Sequence, residues 1–149
     1  MAGYSGTPLA QKLGIKPGHR VALLGAPADF HTVLDLPTGV SLERSLGGKK
    51  PFDVIVLFAM AERELARRFV PTSKRLQPNG GLWVAWPKKA SGVVTDVTEN
   101  AVRGVALAAG LVDNKVCAVN ETWSGLRCVI RVTDRPKASG GRSAKAKRG

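Results

Sequence analysis

Residues 52–58, Phe-Asp-Val-Ile-Val-Leu-Phe, decide the fold of this chain. Six of their seven side chains are apolar, and a Gly-Gly-Lys-Lys-Pro segment precedes them. A continuous apolar run of this length predicts a buried strand with helices on both faces, as in a parallel sheet. The segments before and after it should therefore alternate between helices and strands.

The chain after this strand shows that alternation. Residues 61–76 are charged with periodic apolar positions, which predicts an amphipathic helix interrupted at Pro71. Residues 77–81, Gln-Pro-Asn-Gly-Gly, predict a tight turn. The turn leads into another buried strand at 82–86, Leu-Trp-Val-Ala-Trp.

The last third of the chain predicts one more helix and a hairpin. Asp96 followed by Glu99 fits a capping pair for a helix over residues 97–109. Residues 116–119 and 126–132 predict two strands joined by a polar loop. This hairpin should add an antiparallel strand at the end of the sheet.

The first third predicts a strand at 20–24, a short helix at 28–34 and a weak second strand at 40–43. Strands that alternate with helices imply a mostly parallel sheet with right-handed crossovers. The predicted fold class is therefore α/β, with a Rossmann-like, mostly parallel sheet that ends in an antiparallel hairpin.

Length and composition favour a single domain. A chain of 149 residues, 44% of them hydrophobic, is enough for one core and too short for two. We expect one α/β domain over residues 1–135 and a disordered basic tail over residues 136–149. The sequence has no transmembrane stretch and does not begin like a signal peptide. We therefore expect a cytoplasmic protein without membrane insertion.

The net charge of +12 is the most unusual bulk property. Residues 1–136 alone carry 18 basic and 11 acidic side chains, a net charge of +7. The other basic residues lie in the tail: Lys137, Arg142, Lys145, Lys147 and Arg148. The excess favours an anionic partner, with nucleic acid or a ribonucleoprotein first and an anionic membrane surface second; solubility alone would also explain it.

The sequence predicts neither a metal site nor a catalytic group. Cys117 and Cys128 lie in apolar, strand-like runs, which is typical of small core residues. His19 and His31 lie near the other end of the chain, so they do not complete a ligand set with the cysteines. Neither histidine has a nucleophile or carboxylate at a catalytic spacing.

Two segments of the second half resemble class I methyltransferases. Residues 51–57, Pro-Phe-Asp-Val-Ile-Val-Leu, are similar to that family's aspartate-bearing strand. Residues 76–84, Leu-Gln-Pro-Asn-Gly-Gly-Leu-Trp-Val, are similar to its Leu-x-Pro-Gly-Gly turn and the strand that follows. The resemblance covers residues 51–132 and implies a methyltransferase-like fold rather than an activity.

Most of the chain before the tail resembles, more closely, a family of small bacterial proteins. That family is common in actinobacteria and is classed as a domain of unknown function. The matching segments are 3–9, 13–18, 83–92, 111–117 and 121–125. This resemblance implies no particular activity.

The turn after the first strand departs from the methyltransferase pattern. Active members place a Gly-x-Gly-x-Gly-like turn there, whereas this chain has Gly25 alone and then Pro27, which has no N–H. Glu43 stands where the resemblance implies a ribose-binding acid, with Arg44 beside it as a pairing partner. Residues 44–51 are too few for the family's third strand and helix. No cofactor is therefore expected, and S-adenosylmethionine is kept as the alternative.

Ligands of open α/β sheets bind beyond the carboxyl ends of the strands, where several loops of this chain should converge. Lys88 and Lys89 leave one strand end. Ser91 and Thr95 add hydroxyl donors, and Gly25 follows the first strand. These residues predict a site for a phosphate or carboxylate, and the alternative is two solvated lysines on a loop.

Trp123 lies in the predicted polar loop of the hairpin, where it would either stack on a base or ligand ring or cover the sheet edge. The preferred hypothesis is a non-enzymatic binding or adaptor domain that engages an anionic partner. The alternatives are an atypical S-adenosylmethionine-dependent methyltransferase or other small-molecule enzyme, and a protein-interaction module that uses the edge hairpin. The sequence does not predict an oligomeric state.

Overall fold

The computed structural model describes residues 8–28 and 30–135. Its helices and strands, in chain order, are α1 (Leu9–Lys12), β1 (Arg20–Leu24), β2 (Ser41–Glu43), β3 (Phe52–Phe58), α2 (Glu62–Ser73), β4 (Leu76–Pro87), α3 (Glu99–Ala108), β5 (Leu111–Ala118) and β6 (Trp123–Ile130). Short 3-10 helices lie at Phe30–Val33, Lys89–Ser91 and Val132–Asp134. The predicted tail at 136–149 lies outside the described residues, and the domain boundary before it stays a prediction.

The six strands form one sheet in the order β2-β1-β3-β4-β6-β5. The first four strands are parallel to one another. Strand β6 runs antiparallel to both β4 and β5. The predicted fold class is therefore confirmed: a mostly parallel α/β sheet that ends in an antiparallel hairpin.

Strand β3 is buried on both faces, as its apolar run predicts. Ile55 and Leu57 pack in one cluster with residues of α2 and α3. Val54 and Val56 pack in a second cluster with Leu13, at the end of α1, and with the 3-10 helix Phe30–Val33. We call these two sides of the sheet the α2/α3 face and the α1 face.

The connections around β2 carry little secondary structure. The helix predicted at 28–34 is a single 3-10 turn, Phe30–Val33. Residues 44–51 contain neither a helix nor a strand, in agreement with the prediction that this segment is too short for them. The β2–β3 crossover is therefore a loop, and helices α2 and α3 both follow β3 in the chain.

Two arginines hold the 44–51 loop at the amino ends of the strands. The Arg20 Nε donates to the Pro51 carbonyl at 3.2 Å, and Arg75 Nη2 donates to the Lys50 carbonyl at 2.8 Å. Both guanidinium groups lie over the buried ring of Phe52, with Cζ 4.4 Å from the ring centroid for Arg20 and 5.5 Å for Arg75. These contacts fix the β2–β3 connection, which contains no helix.

Strand β4 begins at Leu76, so the turn predicted over residues 77–81 is wrong. Those residues are extended and run beside the start of β3, across a register irregularity between Phe52 and Val54. A Cβ at Gly80 would lie 2.6 Å from the Asp53 carbonyl oxygen. The glycine therefore permits close approach of two strands there and does not mark a turn.

Helix α2 is not interrupted at Pro71 and ends two residues later, at Ser73. The N-cap of α3 also differs from the prediction. Thr98 caps α3, with its hydroxyl accepting from the Ala101 N–H at 3.1 Å. Asp96 instead accepts from the N–H of Glu62, the first residue of α2, at 2.7 Å. One carboxylate thus satisfies a free donor at the start of a different helix.

The hairpin strands differ from the predicted bounds. Strand β5 starts five residues before the predicted Val116, and β6 starts at Trp123 and ends at Ile130. A register irregularity lies between Asp113 and Lys115 on β5, the outer strand of the sheet. A bulge and a lysine on an outer strand oppose further strand pairing, which weakens the hypothesis of an interaction through this edge.

Candidate functional site

The predicted anion site lies at the carboxyl edge of the sheet, where β4 ends. Lys88 directly follows β4, and its N–H donates to the Thr122 carbonyl at 2.8 Å, which ties this loop to the β5–β6 turn. Lys89 opens the 3-10 helix that follows. Within the described part of the chain, neither ammonium group has an ion-pair or hydrogen-bond partner. Two adjacent, unpaired cations are therefore held on a loop with a fixed backbone.

The hydroxyl groups predicted to assist the lysines are already bonded within the loop. Ser91 Oγ donates to the Lys88 carbonyl at 2.6 Å and accepts from the Val93 N–H at 3.2 Å. Thr95 Oγ1 donates to the Met60 carbonyl at 2.6 Å and accepts from the Val97 N–H at 3.1 Å. Both hydroxyl protons are therefore used, and the structure assigns these side chains to the shape of the loop.

Trp123 is the first residue of β6 and is half-buried, so its predicted place in the hairpin loop is wrong. Its ring meets Phe58 edge to face, with centroids 5.0 Å apart, and Phe58 meets Phe30 in the same way at 4.9 Å. The Asn120 carboxamide oxygen accepts from the Trp123 N–H at 2.8 Å. These contacts favour the packing alternative, and stacking on a ligand ring stays a prediction.

Gly25 forms the turn after β1 with a φ of +74°, a conformation that favours glycine. A Cβ at this position would lie 3.3 Å from the Phe58 carbonyl oxygen and 3.7 Å from Arg68 Nη1. Arg68 belongs to α2 and also pairs with Glu64 at 3.8 Å. The sequence did not predict this arginine as a site residue, since its only local signal is the four-residue spacing to Glu64.

Glu43 ends β2, but its carboxylate faces Arg20 and not Arg44. The Arg20 Nη1 lies 2.8 Å from Glu43 Oε2. Arg44 instead donates to His31 Nδ1 at 2.8 Å, so that ring nitrogen accepts. The pairing of Glu43 with its sequence neighbour is therefore a wrong prediction, and the acid is part of the contacts that surround Arg20.

The structure separates the predicted site residues into two groups. Lys88, Lys89, Ser91 and Trp123 lie together, because Trp123 pairs with Pro87 at the end of β4. Gly25 lies two strands away, and Glu43 lies three strands away. With a strand spacing of ~4.8 Å, these separations are about 10 and 14 Å. One small ligand would not bridge all of them.

The two thiols are structural. The pKa of Cys128 is raised from 9.0 to about 12, chiefly by burial and also by the nearby Asp113 charge, against an opposing effect of Arg103. Burial also raises the pKa of Cys117, against the lowering effect of Lys12 and Lys115. In the part of the chain that the structure describes, no three His, Cys, Asp or Glu residues are grouped to hold a metal. No helix of that part is long and apolar enough to cross a membrane.

A family model described as "Protein of unknown function (DUF3052)" matches residues 10–132. The chain belongs to this family. The predicted resemblance to a family of unknown function is thereby confirmed. No curated protein matches the chain in sequence.

Solved structures with a similar fold include methyltransferases and a pre-rRNA processing protein. A SAM-dependent methyltransferase from Aquifex aeolicus has a TM-score of 0.57 at 18% identity, over 81% of this chain and 87% of that one. Magnesium protoporphyrin IX methyltransferase from Synechocystis, with bound SAM, has a TM-score of 0.56 at 11% identity, over 82% and 74%. The Methanococcus jannaschii fibrillarin pre-rRNA processing protein has a TM-score of 0.58 at 13% identity, over 86% and 70%. At these identities the likeness shows a methyltransferase-like fold.

The residues at the carboxyl edge do not fit S-adenosylmethionine in the way that the resemblance implies. Glu43, the expected ribose ligand, is bonded to Arg20. Gly25 is the only glycine between β1 and the 3-10 helix Phe30–Val33, and Pro27 in that turn has no N–H to offer. Residues 44–51 form a loop in place of a third strand and helix.

Proposed function

We propose that this chain is a non-enzymatic binding or adaptor domain on a methyltransferase-like fold, and that it engages an anionic partner. The Glu43–Arg20 ion pair, at 2.8 Å, carries this proposal. The pair engages the carboxylate on which cofactor binding would depend, and it uses that carboxylate to join the end of β2 to the start of β1. The fold would then serve as a scaffold for a surface and not for a cofactor.

The charge distribution supports an anionic partner. The described residues hold 18 Lys and Arg against 10 Asp and Glu. Within that part of the chain, the basic residues in ion pairs are Arg20, Arg68, Arg103 and Arg131. Most basic side chains of the described residues thus have no acidic partner, and the predicted basic tail adds five more. An excess of this kind attracts polyanions through long-range electrostatics.

Nucleic acid, free or in a ribonucleoprotein, is the class of partner we propose. Backbone phosphates present a dense row of negative charge that lysines contact without sequence preference. Lys88 and Lys89 would contact phosphates at the carboxyl edge, and the tail residues would add contacts to neighbouring phosphates. A cytoplasmic location goes with this proposal.

Binding of labelled single-stranded RNA and double-stranded DNA at rising salt tests the proposal. We expect the full chain to bind both, with affinity that falls steadily as salt rises. Removing residues 137–149 should flatten the salt dependence, and Lys88→Gln with Lys89→Gln should flatten it further, by about one to two units of the log–log slope. No binding of either nucleic acid at low salt by the full chain would refute the proposal.

A matched control variant distinguishes the effect of where the two lysines lie from the effect of the charge they carry. Lys16→Gln with Lys49→Gln removes the same charge from loops at the amino ends of the strands, where both side chains are exposed. If this pair weakens binding as much as the Lys88 and Lys89 pair, the partner is attracted by net charge alone and the proposed site is wrong.

The second candidate is an atypical S-adenosylmethionine-dependent methyltransferase. The left-handed turn at Gly25 favours it, because the chain keeps there the glycine conformation with which the fold begins its cofactor turn. Structural relatives such as the Synechocystis enzyme carry SAM. Calorimetric titration with S-adenosylmethionine and S-adenosylhomocysteine decides this candidate. A binding heat with a rise in melting temperature would support it, and the absence of both would remove it.

A further inference from the structure

Arg127 lies on the α1 face of the sheet, flat against strand β4. It pairs across the sheet with Trp83, so the two side chains share this face. A Cβ at Gly81 would lie 2.8 Å from both the Cζ and Nη2 atoms of Arg127. The guanidinium group therefore occupies the space that any other residue at position 81 would fill. The second glycine of the Asn-Gly-Gly segment thus leaves the space that the Arg127 guanidinium occupies, and we call this space the seat of Arg127.

No acidic side chain of the described residues pairs with this charge. Among the described residues, Arg127 forms no hydrogen bond through its side chain and no ion pair. The acid nearest to it along β5, Asp113, pairs with Arg103 of α3 at 3.1 Å and so belongs to the opposite face. On the other side of Arg127 in the sheet stands Lys115, another cation. The guanidinium is thus half-buried without a counter-charge.

A second arginine is bonded at the end of the same strand, and the Arg127 guanidinium, which lies against Gly81, is near that end because Leu82 pairs with Cys128. The chain turns after β6, and Arg135 Nε donates to the Ile130 carbonyl at 2.9 Å. Burial lowers the pKa of Arg127 below its ordinary value, and the positive charge of Arg135 lowers it further. A guanidinium group remains charged under these conditions, so the pair is held together at an electrostatic cost. A bound anion would remove that cost.

We propose that Arg127 and Arg135 form a binding site for a phosphate group on the α1 face, in which Gly81 lies directly beneath the Arg127 guanidinium. A guanidinium group presents paired N–H donors that match two oxygens of one phosphate. Two such groups fit a dianion better than a single carboxylate. The site is separate from the carboxyl edge, because six residues of β4 between Gly81 and Pro87 span about 20 Å.

Inorganic phosphate is the first probe. Nuclear magnetic resonance titration of the full chain, against sodium chloride at equal ionic strength, should give saturable shifts at the Gly81 amide and the Arg127 Nε–H. The melting temperature should rise with phosphate and not with chloride. If phosphate and chloride move the same signals to the same extent, the site does not exist.

Three variants test the geometry. Gly81→Ala keeps both arginines but places a methyl group where the Arg127 guanidinium lies. Arg127→Lys keeps the positive charge but removes the paired N–H donors of the guanidinium group. Each should weaken phosphate binding at least tenfold, as should Arg135→Gln. Arg63→Gln, an exposed position on α2, is the charge-matched control and should change binding less than twofold. Unchanged affinity in Arg127→Lys and Arg135→Gln would overturn the proposal even if Gly81→Ala fails to fold.

Two further ligands distinguish the source of the phosphate. A small phosphate monoester such as phenyl phosphate should compete with inorganic phosphate if the site takes a terminal, dianionic group. A short single-stranded oligonucleotide should compete if it takes a backbone diester. If neither competes, the site takes inorganic phosphate itself. Loss of nucleic-acid binding in the Lys88 and Lys89 variant would leave these results unchanged, since that edge is remote.

Discussion

The two halves of the sheet are held together by different means. Strands β1, β2 and β3 are joined by a single 3-10 turn and an eight-residue loop. Between β3 and β6 the chain has two amphipathic helices, α2 and α3, which bury their apolar faces against one side of the sheet. The first half therefore relies on polar contacts to fix its connections, whereas the second relies on apolar packing.

This difference bears on function. In the first half, polar groups at the carboxyl edge or near it have internal partners: Glu43 with Arg20 and Arg44 with His31. In the second half, Lys88 and Lys89 follow a rigid strand and have no such partners within the described residues. In the half where the resemblance would place the cofactor, these polar side chains are thus bonded to other residues of the protein. The other half presents two lysines to solvent.

Removing Trp83 should have the largest effect on stability. The indole is fully buried under α1, its Nε1 donates to the Leu13 carbonyl at 3.0 Å, and its ring fills the space above Gly125. We expect Trp83→Ala to lower the free energy of unfolding by about 3–5 kcal/mol, measured by urea denaturation. Val94→Ala, at a side chain that is 90% exposed, is the control and should stay within about 0.5 kcal/mol. A loss below about 1 kcal/mol in Trp83→Ala would show that α1 does not seal this face.

Removing Arg75 should have a smaller effect that is confined to the first half. Arg75 donates to the carbonyls of Leu46, Gly47 and Lys50, and its guanidinium group lies over the Phe52 ring. Arg75→Met keeps the apolar stem, and we expect a loss of about 2 kcal/mol, because these bonds are replaced by bonds to water. The ranking of amide hydrogen exchange rates among β3, β4 and α2 should be the same in this variant as in the native protein.

The control for this change is Arg67→Met, at an exposed residue of α2 with no bond to another described side chain. It should change the free energy of unfolding by less than about 0.5 kcal/mol. Equal losses in the two variants would mean that the loss reflects removal of positive charge and not of the bonds to the loop.

The sequence predicted the parts of the fold that are encoded locally. The apolar run of β3 and the amphipathic pattern of α2 each arise from residues next to one another in the chain. The same local reasoning failed at 77–81, because Pro78 and the paired glycines are typical of a turn. Contact with β3 overrides that tendency, and Gly80 serves the close approach of Asp53.

The site residues depend on contacts between distant segments, which explains why they were predicted only in part. Lys88 and Lys89 could be found because they follow a predicted strand, and loops at carboxyl ends of strands have a known position. The partner of Glu43 lies 23 residues before it, and that of Asp96 lies 34 residues before it. No spacing rule reaches that far, so the adjacent Arg44 and the nearby Glu99 were chosen instead. The seat of Arg127 on Gly81 is likewise visible only once β4 and β6 are paired.

The smallest of the three effects concerns the thiol of Cys128, which is buried on the α2/α3 face of the second half. Its pKa is raised to about 12 in the folded chain, from 9.0 in the unfolded chain. Above pH 9 the unfolded chain therefore binds fewer protons than the folded one, and stability falls as pH rises towards 12. The unfolding equilibrium constant should increase by somewhat less than tenfold between pH 9.5 and 10.5, or about 1 kcal/mol.

Comparison of the native chain with Cys128→Ala isolates this contribution, because other groups titrate in both proteins. We expect the alanine variant to be less stable at neutral pH, because a buried side chain is truncated, but its stability should fall less steeply between pH 9.5 and 10.5. Cys117→Ala should reduce the slope of stability against pH by less than Cys128→Ala does. Cys117 is only half-buried and lies beside Lys12 and Lys115, which favour its thiolate. Equal slopes in the native chain and Cys128→Ala would show that water reaches this thiol, and hence that α3 covers the second half less completely than the packing of Cys128 indicates.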